Sequence, residues 1–144
     1  MSVEEMKSAV RGVHEAIMKN DVEKFASFLT DDATVTDPVG TLKGREGAKR
    51  WVKWISGNFP KVVLKETRLI VEGNVAAHEY TMEGTTPEKV TVSFPGVVMY
   101  EFKDGKISNV RNFYDELTIA KKLARGMLAK KAVKSIEDQF KKGR

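Results

Sequence analysis

The chain contains no cysteine, which excludes a disulfide framework, a thiolate metal site and a cysteine nucleophile. Histidine is almost as scarce: His14 and His78 stand 64 positions apart, too sparse for a structural zinc site. No metal and no cofactor are therefore expected. Nowhere do 18 apolar residues run together, and the polar start Met1-Ser2-Val3-Glu4-Glu5-Met6-Lys7 lacks the apolar segment of a signal peptide. The expectation is a soluble cytoplasmic protein with no membrane partner. There is no glycine-rich phosphate loop and no serine-triad motif.

What is present is ordinary for one folded domain. The 144 residues are 41% hydrophobic and 31% charged, enough for a sizeable core. The net charge of +5 collects late, in Lys121-Lys122, Arg125, Lys130-Lys131, Lys134 and Lys141-Lys142-Gly143-Arg144. On a helix such residues form a solvated face, and no nucleic-acid module signature accompanies them. No specific nucleic-acid partner is expected.

Helical patterning comes first along the chain. Met6, Ala9, Val10, Val13, Ile17 and Met18 recur at helical spacing from Val3 to Lys19, behind a Ser2/Glu5 capping box. His14 flanks that stripe and reads as a boundary residue. Asp21 can cap a short helix from Val22 to Leu29. A third helix is expected from Gly47 to Phe59, with Trp51 and Trp54 as candidate walls of a pocket. The second half is rich in β-branched residues. Strands are expected over Val62–Val71, Val75–Met82, Val90–Phe102 and Ile107–Tyr114, with Pro95-Gly96 interrupting the third as a bulge or bend. Helices first and turn-linked strands after make an α+β fold with a curved, mostly antiparallel sheet. From Glu116 to Lys142 a long helical segment follows, loosening at Gly126, with Asp115 placed to cap it. Residues 1–115 thus read as the α+β body. Residues 116–144 read as a helical extension that packs on that body or on a partner subunit.

One stretch carries chemistry. In Asp32-Ala33-Thr34-Val35-Thr36-Asp37-Pro38-Val39-Gly40, alternation gives a half-buried strand, and Asp37 is held at its end before a proline-led turn. The rival role for Asp37 is a turn-bracing Asx residue. Asp32-Ala33-Thr34-Val35 and Asp37-Pro38-Val39-Gly40 resemble the segment around the catalytic base of ketosteroid isomerases. Those enzymes belong, with the SnoaL-like polyketide cyclases, to the nuclear transport factor 2-like superfamily. Phe102-Lys103-Asp104-Gly105-Lys106-Ile107 and Tyr114-Asp115 resemble SnoaL-like proteins. The resemblance implies a cone-shaped body whose helices and bent sheet enclose a hydrophobic pocket, with Asp37 as general base.

The same resemblance places Val13 and Val98 where ketosteroid isomerases carry their oxyanion donors. Neither valine can donate a hydrogen bond, so authentic ketosteroid isomerase activity is not expected. It also implies a pocket face bearing His78, Tyr80 and Tyr100; strand alternation adds Asn112 and Tyr114. Asp115 matches an acid/base aspartate of the cyclases, with helix capping as its alternative role. The expected activity is proton transfer on a small hydrophobic carbonyl or polycyclic molecule by Asp37, assisted by His78 or Tyr80. The alternative is a ligand-binding or dimerisation domain of the same fold. A homodimer is expected.

Overall fold

A computed structural model describes residues 1–144. Three helices lead: α1 (Val3–Met18), α2 (Val22–Ser27) and, after two strands, α3 (Gly44–Asn58). The strands are β1 (Leu29–Asp37), β2 (Gly40–Lys43), β3 (Lys61–Glu72), β4 (Val75–Thr85), β5 (Thr91–Lys103) and β6 (Lys106–Tyr114). Two helices close the chain, α4 (Glu116–Leu123) and α5 (Gly126–Lys141). The strands form one curved sheet in the order β2-β1-β6-β5-β4-β3. Only β1 and β6 run parallel; every other neighbouring pair is antiparallel.

The capping box starts α1 as expected: Glu5 N–H donates to Ser2 Oγ at 3.1 Å, and Ser2 N–H to Glu5 Oε2 at 2.6 Å. Its apolar stripe lies over β3 and β4, while α3 covers β1 and β2. Between them Val10, Val13, Phe25, Leu29, Val35, Val52, Tyr100 and Val110 are almost wholly shielded from water. Burial alternates residue by residue along β4 and β5, so one sheet face meets the helices and the other meets solvent. No helix is long and apolar enough to cross a membrane.

Three expectations need correction. The Pro95-Gly96 pair does not interrupt β5, which pairs with β4 without a break through Thr81↔Pro95 and Tyr80↔Gly96. The Pro95 carbonyl points away from β4 and accepts from Asp115 N–H at 3.3 Å. The nitrogen that lacks a proton faces that same side, beyond the last residue of β6, so no ladder bond is lost. The irregularity lies instead at Glu101/Phe102. Second, the chain between Asp37 and α3 is not all turn: β2 forms a hairpin with the end of β1. Third, the C-terminal segment is two helices, broken at Ala124-Arg125, with Gly126 in the left-handed region at φ 76°.

The final helix leans on α4 rather than on the body. Glu137 holds it there by accepting from Lys121 at 2.9 Å, with Lys141 at 2.6 Å on its own helix. Met127, Leu128, Ile136 and Phe140 of α5 are exposed.

Candidate functional site

A cavity of about 880 Å³ opens between α3, the helix-facing side of β4, β5 and β6, and α4. Trp51, Trp54 and Ile55 of α3, followed by Phe59, form one wall. Met82 and Phe94 lie on the sheet side, and Ile119 and Leu123 of α4 form a roof. This size and largely apolar lining suit a small organic molecule. Close packing shapes it: a Cβ on Gly84 would stand 2.6 Å from the Phe59 ring, so glycine there lets Phe59 seat against β4. At the mouth, Arg125 and Glu88 form an exposed ion pair at 3.2 Å.

The polar groups of the cavity cluster on the sheet. Tyr80 and Asn112 sit on β4 and β6 and are joined by a hydrogen bond, Tyr80 O–H donating to Asn112 Oδ1 at 2.8 Å. Burial raises the Tyr80 phenol well above its ordinary range, and the bond to Asn112 opposes this only in part. Tyr114, two residues beyond Asn112, also lines the cavity and stacks at an angle on Phe94, with ring centres 5.9 Å apart. Burial, then the nearby charge of Asp37, pushes its hydroxyl up to about 12. Both phenols are therefore neutral donors at physiological pH.

Asp37 stands behind this wall. It ends β1, opposite Gly40 across the Pro38-Val39 turn. Its Oδ1 accepts from the backbone N–H groups of Val39 at 2.8 Å and Gly40 at 3.1 Å. Its Oδ2 accepts from Trp51 Nε1 at 3.0 Å. The side chain thus braces the turn and is also tied to a residue of the cavity wall. Of the two roles foreseen for Asp37, its bonds display the turn-bracing one, and its side chain is not among those lining the cavity.

Of the other residues singled out in the sequence, Trp51, Tyr80, Asn112 and Tyr114 come together around the cavity. Val13, Val98 and Tyr100 are buried in the core and do not line it. Asp115 caps α4: its Oδ1 accepts from Thr118 N–H at 3.0 Å and its Oδ2 from the Thr118 hydroxyl at 2.7 Å. Those bonds, the backbone one first, lower its carboxyl below the usual range.

His78 belongs to a second, separate cluster. His14 is not a boundary residue but a buried one, 6% exposed, and its Nε2 lies 3.1 Å from His78 Nδ1 and 3.0 Å from the Tyr100 hydroxyl. His78 Nε2 stands 3.1 Å from Glu66 Oε2, without the direction of a full hydrogen bond. Glu66 in turn receives both ends of the Arg11 guanidinium at 3.0 and 3.1 Å. Burial, reinforced by His78, pushes His14 down to about 3; burial also lowers His78 against the pull of Glu66. Both imidazoles are neutral at pH 7. The helix period could have turned His14 inward, because it follows Val13 and precedes Ile17 on the buried side of α1. The β4 parity of Tyr80 also selects Met82, whose cross-strand partner on β5 is Phe94, and sequence reasoning singled out neither.

Helices enclosing an apolar pocket against one curved mixed sheet define the nuclear transport factor 2-like class of α+β proteins. Within it the chain belongs to the SnoaL-like domain family, whose pattern matches residues 10–110. No curated protein matches the sequence. Among solved structures it is similar to TerC co-crystallised with polyporic acid, at 19% identity over 80% of this chain and 95% of that one, with a TM-score of 0.73. An NTF2-like protein of unknown function from Burkholderia pseudomallei shares 17% identity over 87% of this chain and all of its own, with a TM-score of 0.78. A hypothetical protein with a ketosteroid isomerase-like fold from Catenulispora acidiphila, in complex with trimethylamine, shares 16% identity over 79% of this chain and 90% of that one, with a TM-score of 0.74. At these identities the likeness is one of fold.

Proposed function

We propose that this protein is a SnoaL-like enzyme that takes a small hydrophobic carbonyl or polycyclic compound into its cavity and moves a carbon-bound proton with Asp37. The observation that carries this reading is the 880 Å³ cavity with aromatic and aliphatic walls, a polar cluster at Tyr80, Asn112 and Tyr114, and the Asp37 carboxylate tied to its wall residue Trp51. A carboxylate beside an apolar pocket is the element that proton abstraction next to a carbonyl requires. Membership of the SnoaL-like family supports small-molecule binding, and TerC, of similar fold, has been crystallised with polyporic acid. Valines at positions 13 and 98 supply no oxyanion donor, so the activity is not that of a ketosteroid isomerase. Asp115 serves as a helix cap and His78 as part of the buried histidine pair.

A second reading, ligand binding without chemistry, is favoured by the three N–H donors that already occupy both Asp37 oxygens. One experiment separates the two. Deuterium uptake from solvent next to the carbonyl is followed in a panel of bulky cyclic ketones, with the native protein, Asp37→Asn and Asp115→Asn. The enzymatic reading expects uptake that is lost in Asp37→Asn and kept in Asp115→Asn. Ketone binding without uptake would establish the second reading.

We infer further that the protein is a homodimer. Val97 and Phe113 pair across β5 and β6 on the solvent face of the sheet, and both are exposed apolar side chains. With the open apolar side of α5 they are the surfaces a second copy would cover.

A further inference from the structure

Two hydrogen-bond donors of β6 line the cavity without a partner in the protein. The inference rests on the reading of the cavity as a ligand site. Asn112 presents one amide with two unlike ends. Its Oδ1 is occupied by the Tyr80 hydroxyl at 2.8 Å, while its Nδ2 makes no hydrogen bond within the protein and is not sealed from the cavity. The Tyr114 hydroxyl, on the same side of β6, is likewise without a protein partner. Tyr80 is fixed in turn. Its ring fills the space that a side chain at Gly96 would need, and it meets the His14 ring edge-on at 5.7 Å between centres. Both donors are open to water in the cavity, and a ligand oxygen that displaces this water takes over its hydrogen bonds between apolar walls.

We propose that Asn112 Nδ2 and the Tyr114 hydroxyl together bind the oxygen of the ligand, with Tyr80 as the positioning residue that turns the Asn112 amide outward. The ligand class is accordingly an apolar ring compound bearing a ketone or quinone oxygen, not a bare hydrocarbon. In the proposed reaction Asp37 removes the proton next to the carbonyl. The C–H electron pair forms the carbon–carbon double bond, and the carbonyl π pair moves onto oxygen as an enolate. Asn112 and Tyr114 stabilise that charge, and the proton returns to carbon from Asp37. Donors that strengthen as charge develops are where catalysis gains most.

The test uses two probes of one shape, 2-acetylnaphthalene and 2-isopropenylnaphthalene, in which a methylene replaces the ketone oxygen. Equilibrium dialysis against the full chain measures both. The native protein is expected to prefer the ketone by roughly tenfold or more, the worth of one or two hydrogen bonds. Asn112→Leu is expected to lower that preference to what the Tyr114 hydroxyl alone gives, and Asn112→Leu combined with Tyr114→Phe to bring it to near unity, with the hydrocarbon still bound by each. Tyr80→Phe is expected to lower the ketone preference without altering hydrocarbon binding, an outcome that loss of packing alone would not give. Equal affinity for the two probes in the native protein, or a preference that survives Asn112→Leu combined with Tyr114→Phe, overturns the assignment. Ketone preference without deuterium uptake would overturn the Asp37 chemistry and leave the donor pair standing. Failure of both probes to bind would remove the cavity reading and the donor pair together.

Discussion

Tyr80 and Gly96 face each other across β4 and β5, and the tyrosine ring occupies the space in which a side chain at residue 96 would stand. A strand glycine with an aromatic cross-strand partner trades local stability for close approach. Here the approach sets the hydroxyl that holds Asn112. Gly96→Ala is expected to push Tyr80 off its seat and to destabilise the fold by about 1–3 kcal/mol, the usual cost of overpacking. Urea unfolding measures the loss.

The tie between Trp51 and Asp37 carries the next prediction. Trp51→Phe keeps an aromatic wall and removes the N–H that Asp37 Oδ2 accepts. The expected cost is about 1–2 kcal/mol, in the lower part of the range for a bond to a charged group because Asp37 is partly exposed. The same urea measurement checks it. The enzymatic reading adds that deuterium uptake changes in this variant, since one carboxylate oxygen is released toward the cavity.

The His14–His78 pair makes stability depend on pH. In the unfolded chain each histidine binds a proton near pH 6.5. In the folded state burial lowers both, His14 to about 3. Below pH 6.5 the unfolded chain therefore holds more protons than the folded one. The stability tied to His14 is present above pH 6.5 and is lost as the pH falls toward 3, and His78 acts in the same direction. The slope is at most about 1.4 kcal/mol per pH unit for each histidine. Urea titrations at pH 7.5, 6.5, 5.5 and 5 are expected to show the decline, and His14→Gln to flatten it over that window.

Asp115 gives a control of opposite character. Asp115→Ala removes both bonds to Thr118 and is expected to cost about 0.5–2 kcal/mol as a lost helix cap. Hydrogen exchange should localise the effect to the first turn of α4, the roof of the cavity. Asp115→Asn, which keeps an acceptor oxygen for the Thr118 N–H, should do less.

Much of this architecture was legible in the chain. The Ser2–Glu5 box, the period of α1 and the alternation in β4 and β6 each follow from local physics, and the structure follows them closely. What escaped had non-local causes. Pro95 is harmless because β6 happens to end beside it, a fact of register that composition does not carry. His14 looked like a boundary residue because its partner, His78, is 64 residues away. The strand β2, four residues opening with glycine, has too little pattern to announce itself and exists by pairing with β1. The break at Ala124-Arg125 precedes the glycine that marked it, and the turn it makes brings α5 back onto α4. Tyr80, Asn112 and Tyr114 were readable as pocket residues from parity and resemblance, and Trp51 and Trp54 as candidate walls. For the segment after Asp115 a lid over the pocket was one of several places open to it, because its apolar stripe shows that it needs a partner without showing which.

The most direct measurement is the crystal structure of the protein with 2-acetylnaphthalene bound. The account predicts the ketone inside the cavity, its oxygen within hydrogen-bond distance of Asn112 Nδ2 and Tyr114. Its methyl carbon, which carries the exchangeable protons, should lie roughly 3–3.5 Å from an Asp37 oxygen, the separation from which a proton can pass. A ketone seated elsewhere, or one held in the cavity with Asp37 still walled off behind Trp51, would contradict it.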